Sequence, residues 1–422
     1  MFAGAGGLSQ GFAQAGCEIV AATDNDPDAA ATFQANFPKA QFICGDIRDL
    51  AIQKAFLASA QGAEIVVGGP PCQAFSQVRN HSRLIDDSRN SLYREFVRVV
   101  SRLKPMAFLM ENVTGMDQMG FREQIIEDLR LSGRYMVEAQ VVDAADFGVP
   151  QSRKRLLFIG VLSRLRRKPP KLVGSGATAA ISLTRQKAAL PSEQSMYDVS
   201  LSDGYALPLL NVLRDPRRLA VVTVGQAISD FAFLQPGERL DSRPVSELPP
   251  PASAYQRRMR IGLRGVVHNV QVPRMMTDTA LRLAGIPAGG NHRDLEDGLL
   301  DRYLSDQRWG QANGTGRLSR KHFYAYRRLH PGIWAWTLNT KADAAYHYSS
   351  IRSLSVREFA RLQSFPDRFI FTTDVRKGSL PGRHDGGAAH SKYRQVGNAV
   401  PPLLAQAAAE SLCRVLIGDG AQ

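Results

Sequence analysis

Residues 64–76, EIVVGGPPCQAFS, set a short run of β-branched residues directly against a Gly-Gly-Pro-Pro turn and a cysteine. A run of this length and composition predicts a strand buried on both faces, and the two prolines fix the backbone just past its end. A side chain mounted there is held at the edge of a sheet. Cys72 is that side chain, and a cysteine of the inert core needs no such mount, so it is the first candidate nucleophile.

The same texture recurs on either side, at EIVAATD (18–24), AQFICGD (40–46), MAFLMEN (106–112) and RLLFIGV (155–161), with helical stretches between. Strands alternating with helices predict an α/β fold, a doubly wound and mostly parallel sheet of the Rossmann-like kind. Ligands of such sheets lie beyond the C-terminal ends of the strands, which is where Asp24, Asp46, Cys72 and Glu111 would gather.

Upstream, FAGAGG (2–7) leads into LSQGFAQAG, a glycine turn opening a helix. Such a turn lets backbone approach a cofactor and aims free N–H groups at an anion, but a plain strand-to-helix turn looks alike. Asp24 follows about twenty residues on, where a carboxylate accepts from both ribose hydroxyls. Asp46 is placed to read an adenine amino group or to cap a helix. Downstream, ENV (111–113) puts Glu111 at the end of an apolar strand, half-buried and suited to donate a proton. In QSRKR (151–155), alternation along a strand puts Gln151, Arg153 and Arg155 on one face, where two guanidinium groups suit a phosphate or a developing negative charge.

The chain has 422 residues and a net charge of +14, with 53 Lys and Arg against 39 Asp and Glu. That excess favours a polyanionic partner, with nucleic acid first. Four well-separated cysteines, with no CxxC pair, exclude a disulfide framework and a zinc site. No signal sequence or membrane span is read, so a soluble protein of a reducing compartment is expected. Residues 163–195 and 235–253 have the composition of linkers or long loops. The stretch 196–350 is basic and irregular, with aromatics among bases in GRLSRKHFYAYRRLH (316–330), the texture of a nucleic-acid contact or of a solvated basic face. Residues 403–417 have helical composition and would pack back on the first domain.

Taken in order, FAGAGG, GGPPCQAFS, ENV, QSRKR, SVREFARLQSFP (355–366) and QVGNAVPP (395–402) resemble the motif series of the cytosine-5 DNA methyltransferase family, in its bacterial modification-type form. The resemblance spans nearly the whole chain. It implies S-adenosyl-L-methionine as cofactor, double-stranded DNA as partner, and transfer of a methyl group to C5 of a cytosine flipped out of the duplex. It makes Cys72 the nucleophile at C6, Glu111 the group on the N3 and N4 edge, Arg153 the holder of the base carbonyl and orienter of Glu111, and Arg155 and Gln151 their support. It assigns Phe2, Gly4, Gly6, Gly7, Asp24, Asp46, Ile47, Pro70 and Asn398 to the cofactor. Gln73, Ser76, Arg89 and Asn90 fall on or near the loop that closes over the base.

The resemblance further implies a discontinuous catalytic domain, 1–175 plus 385–422, with 176–384 as target-recognition domain and hinge. A monomer acting in the prokaryotic cytoplasm, near the nucleoid, is expected, in a layout compatible with a partner restriction endonuclease. In the family a full strand precedes the glycine loop, whereas here the chain opens at Met1-Phe2. A gap in the middle of the sheet is expected, and with it a misplaced start or a truncation. Residues 376–392 are read as a flexible loop. Methylation of cytosine in structured RNA, a catalytically impaired DNA-binding relative, and an NAD-dependent oxidoreductase are the competing readings.

Overall fold

A computed structural model describes residues 1–71, 92–115, 121–178, 221–295, 326–374 and 387–418 of the chain. Cys72, Gln73, Ser76, Arg89 and Asn90 lie outside the described residues, as does most of 376–392.

Helix α1 (Gly7–Gln14) starts from Gly6, whose φ of 100° is the left-handed conformation that favours glycine. Strand β1 (Ala21–Asp24) leads to α2 (Pro27–Asn36), where Asp26 caps the helix by accepting from the Asp28 N–H and Pro27 occupies the first turn. Next come β2 (Gln41–Cys44), α3 (Leu50–Ser59), β3 (Ile65–Gly68), α4 (Leu92–Leu103), β4 (Ala107–Asn112), α5 (Arg122–Arg130), β5 (Tyr135–Asp143) and β6 (Lys154–Leu162).

The five sequence-predicted strands are all present. β1 pairs in parallel with β2, and β3 with β4; β6 then inserts antiparallel between β4 and β5. The run 155–161 is therefore antiparallel to β4. That reversal brings its first residues to the sheet edge where β3 and β4 end. Strand β5 was not foreseen, because Glu138, Gln140 and the exposed Val141 break up its apolar positions. Gly160 faces Phe108 across the β4–β6 pair, and a Cβ there would stand 2.1 Å from the Phe108 ring. The missing side chain lets that ring pack edge-on to Phe96 and Tyr135.

No strand joins the two parallel pairs among the described residues. Residues 1–3 run between them instead, with the Met1 nitrogen donating to Val67 O at 2.8 Å and the Ala3 N–H to Thr23 O at 3.1 Å.

The remaining elements are short: α6 (Val224–Ile228), β7 (Ser242–Pro244), α7 (Ala254–Met259), β8 (Val266–His268), α8 (Thr277–Ala284) and α9 (Val356–Leu362), followed by α10 (Gly387–Asn398) and α11 (Pro402–Ile417). Two expectations need correction. The stretch 235–253 holds β7, paired antiparallel with β8 over a small core of Phe231, Leu234, Leu248 and Val267, so it is folded and not a linker. Residues 387–392 form the first turns of α10, where Ser391 Oγ donates to Asp28 and Lys392 pairs with Asp241, so that end of 376–392 is anchored.

Helix α11 packs against α1 as expected. The contact is close because Gly11 lacks a side chain: a Cβ there would lie 2.4 Å from Ala405 Cβ and 2.5 Å from Pro402 O. Residues 390–417 are apolar enough in composition to cross a membrane, but α10 and α11 are separate helices and half of that apolar window is buried in the protein.

The SVREFARLQSFP motif is wholly internal. Ser355 and Glu358 form a capping box at the start of α9. Arg352 grips Glu358 through two 2.8 Å bonds, and Arg361 bridges Asp367 and Asp230. Burial pushes the Arg361 guanidinium down, but these carboxylates outweigh it and hold it above its usual range. Buried charges persist only when paired in this way.

Candidate active site

The glycine loop, the end of β1, the turn after β3, the end of β4, the start of β6 and the end of α10 enclose one cavity of about 660 Å³. Phe2, Gly4, Gly7, Asp24, Pro70, Glu111, Arg153, Arg155 and Asn398 line it. These residues come from six separate segments of the chain and meet only in the fold. Gly6, Asp46 and Ile47 are not among the lining residues.

Asp24 closes the glycine loop. One carboxylate oxygen accepts the Gly4 N–H at 2.8 Å and the other the Asp26 N–H at 2.9 Å, leaving each oxygen further acceptor capacity. Burial pushes the Asp24 carboxyl above its ordinary value, against the pull of these bonds. Gly4 has φ +51°, and a Cβ there would meet nothing within 4 Å, so the loop presents bare backbone to the cavity. Gly7 serves packing as well, since a Cβ there would lie 2.3 Å from Val400 O.

Asp46 is partly exposed and gripped by Arg48, whose Nε bonds one carboxylate oxygen at 3.0 Å. The Arg48 side chain holds the Asp46 carboxyl below its usual range, and Arg48 itself reaches the cavity wall. Ile47 is buried in the core beside Met1 and Phe56.

At the far end, Arg155 Nε lies 2.5 Å from Glu111 Oε1, with both side chains nearly buried. The ion pair to Glu111 is thus made by Arg155, while Arg153, just before the start of β6, lines the same cavity. Arg153 also donates to Leu338 O at 3.1 Å and to Gly397 O at 2.6 Å, tying the turn before β6 to distant segments. Burial first, and then Arg155, pull its guanidinium well below the ordinary arginine range. Its Nε is buried with no hydrogen-bond partner, a spare donor in a residue that lines the cavity. Gln151 is fully buried and spans the same seam, from Leu362 O to the Leu338 N–H.

Three residues of this site were not singled out from sequence. Asn112 donates to Pro70 O at 3.1 Å, fixing the turn that leads to Cys72. Asp143 accepts from Ser152 Oγ and from the Arg153 N–H, holding the turn that carries the two arginines. Arg394 pairs with Asp26 at 2.9 Å on the cavity rim. Only Asn112 carried a signal, as the middle residue of ENV. The other two pairings join residues that sequence spacing does not relate.

The model of the family described as C-5 cytosine-specific DNA methylase matches residues 1–205 and 268–414. The chain belongs to that family. Among similar DNA methylases, the type II methyltransferase M1.HphI of Haemophilus parahaemolyticus is 30% identical over 420 residues, covering 98% of this chain and 86% of that protein. M.AgeI of Thalassovita gelatinovora is 29% identical, covering 98% of each. A solved prophage-encoded DNA modification methyltransferase (E. coli) superposes with a TM-score of 0.65 at 24% identity, over 99% of this chain and 98% of that one, which supports the shared fold.

Family membership orders the site. The described parts of FAGAGG, GGPPCQAFS, ENV, QSRKR and QVGNAVPP line one cavity, whereas SVREFARLQSFP forms buried packing. The basic-aromatic stretch 316–330 is described only from Tyr326. There Arg328 is buried, donating to the carbonyls of Ile286 and Tyr348, and Arg327 stacks on Trp336 at 3.8 Å. Arg328 thus faces into the protein, while Arg327 is half-buried against Trp336.

Proposed function

We propose that this methylase transfers a methyl group from S-adenosyl-L-methionine to C5 of a cytosine in double-stranded DNA, through a transient bond from Cys72 to C6 that breaks, releasing the thiolate, as the C5 proton is lost to a base. The observation that carries the reading is the Glu111–Arg155 pair, set in one cavity with the Gly4 to Gly7 loop and the Pro70 turn.

The residues present fit the cofactor. Open space over Gly4, the spare acceptor capacity of Asp24 and a helix start without a side-chain cap suit an amino acid joined to a nucleoside. Phe2, Gly4, Gly6, Gly7, Asp24, Pro70 and Asn398 would hold it, with Asp46 and Ile47 supporting the adenine side through Arg48. When bound, it supplies an electrophilic methyl group.

The protein's own groups do the rest. Glu111 binds the polar edge of the flipped base and holds a proton at N3, so negative charge does not build on the ring as the thiolate adds. Arg155 fixes the Glu111 carboxylate by direct contact. Arg153 offers its free Nε to the base carbonyl while its other nitrogens lock the turn. Asn112 holds Pro70, two residues before Cys72 in sequence. The division into 1–175 plus 385–422 for catalysis and 176–384 for target recognition belongs to the same reading, as do a monomeric state, a site of action in the cytoplasm and pairing with a restriction endonuclease.

Incubation with labelled S-adenosyl-L-methionine and either duplex DNA or transfer RNA tests it. Label is expected on DNA cytosines alone and absent with Cys72→Ala. Label on RNA alone, or activity surviving Cys72→Ala, overturns the reading.

A further inference from the structure

The segment RLRRKPPK (164–171) follows β6 at the sheet edge opposite the active site. Nine residues of extended chain separate the two ends of β6, a span of about 27 Å. Between this segment and the end of α11 lies a second cleft of about 580 Å³, lined by Arg167, Lys168, Pro170, Lys171, Ser411, Arg414, Val415 and Gly418. Arg134 and Arg164 both stand near the Tyr135 hydroxyl on the same edge.

Arg134, Arg164, Arg166, Arg167, Lys168, Lys171 and Arg414 are all exposed. None of them forms an ion pair among the described residues, and the patch carries seven cations with no carboxylate paired to any of them. Unpaired like charges crowded on one edge repel one another, so the arrangement has a standing electrostatic cost that a polyanion would relieve. The mount is also stiff. Pro169 is buried and, with Pro170, fixes the backbone between Lys168 and Lys171, which sets the two about 9 Å apart if extended. Arg167 donates to Val415 O at 2.5 Å and Leu416 O at 3.0 Å, clamping the segment to the end of α11.

We propose that this edge is a second DNA-binding surface, which holds the phosphate backbone of a duplex segment other than the one in the active site. A patch of seven cations beside a clamped, proline-stiffened segment suits a repeating phosphate lattice, recognised without regard to sequence. Its position at the far end of the sheet lets a separate stretch of a long or folded DNA engage while the catalytic cavity is in use.

The test uses the full chain and a fluorescent 60-bp duplex of random sequence, with anisotropy read across a KCl titration. The variant Arg164→Gln/Arg166→Gln/Lys168→Gln/Lys171→Gln removes only exposed side chains, and its thermal melting is expected to match the parent. Its affinity is expected to fall roughly 10-fold or more, with the slope of log K against log salt shallower by about two to four. The charge-keeping variant Arg164→Lys/Arg166→Lys/Lys168→Arg/Lys171→Arg is expected to bind as the parent does. A second measurement follows acetylation of Lys168 and Lys171 by mass spectrometry, with protection expected from the duplex and not from tripolyphosphate. Unchanged affinity and salt slope in the glutamine variant overturn the proposal. So does equal loss in the charge-keeping variant, or equal protection by tripolyphosphate, which would make the edge a small-polyanion site.

Discussion

Arg155 Nε lies 2.5 Å from Glu111 Oε1 in the cavity wall, across the antiparallel pairing of β6 with β4. Glu111 lies opposite Leu157 in that register, so Arg155 reaches it along the strand from one same-face position away. Gly69 leaves room for the pair, since a Cβ there would stand 3.0 Å from Glu111 Oε2. Replacing Arg155 with alanine frees the carboxylate to rotate. We expect kcat for methyl transfer to fall about 100-fold, while stability changes by less than about 2 kcal/mol. Arg155→Lys should recover only part of the loss, because an ammonium lacks the planar fork. Single-turnover kinetics and denaturant melts check both halves.

Arg153 is expected to behave differently, although it lies two residues away. Its two bonds to Leu338 O and Gly397 O are buried, and Arg153→Met leaves both carbonyls without those donors. Removal of a buried charge offsets part of that loss, so a destabilisation of about 1–3 kcal/mol is expected in urea unfolding. A stability unchanged within error would show that the seam is held by other contacts.

Asn112 tests the mount of the nucleophile. Asn112→Ala removes the bond to Pro70 O at a net stability cost of about 1 kcal/mol. It also loosens the turn before Cys72, and an approximately 10-fold lower kcat with KM for DNA nearly unchanged is the expected result. A raised KM with normal kcat would place Asn112 in binding instead.

These contacts mark how far the sequence could be read. Strands β4 and β6 were legible because burial on both faces leaves a continuous apolar run, and the shorter apolar runs of β1 and β3 stop at turn residues, so strand ends located Asp24, Pro70 and Glu111 in advance. Strand β5 was not, because its outer face alternates Glu138 and Gln140 with buried residues. The pairing of Glu111 with Arg155 and not with Arg153 was hidden as well, because spacing places both arginines on one face and both line the cavity. The bond from Arg153 to Gly397 links residues 244 positions apart, and no local pattern announces it. For the same reason Gly7 was read as a cofactor contact alone, although a Cβ there, at the start of α1, would also strike Val400 O just before α11.

Gly11 offers a test of that packing. The atoms a Cβ would strike include Pro402 O and the Gln406 N at 2.6 Å, both backbone, so the two helices must move apart. Gly11→Ala gains helix propensity but is expected to destabilise the protein by about 1–3 kcal/mol overall. Thermal unfolding of the two proteins side by side decides the sign.

His347 makes the stability of the motif behind the site depend on pH. Its Nδ1 accepts the N–H groups of Ser349 and Ser350, each at 3.2 Å, which fixes the proton of the neutral ring on Nε2. Nε2 faces Glu358 Oε1 at 3.7 Å, Arg352 and Arg328 lie nearby, and the ring stacks on Tyr348 at 4.4 Å. Burial pushes the imidazole down to about 4, against the pull of Glu358. Between that value and the ordinary value of about 6.5, the unfolded chain binds a proton that the folded protein refuses. The contribution of His347 is therefore constant above pH 6.5 and becomes progressively unfavourable as pH falls through that window. Burial also pushes Glu358 up, but Arg352 and His347 outweigh it and hold it low, so its pairing is lost only in more acid solution. His347→Gln is accordingly expected to flatten the decline of melting temperature between pH 6.5 and 4.5 while lowering stability at pH 7.5. A slope in that window equal to that of the parent would assign the acid sensitivity to other groups.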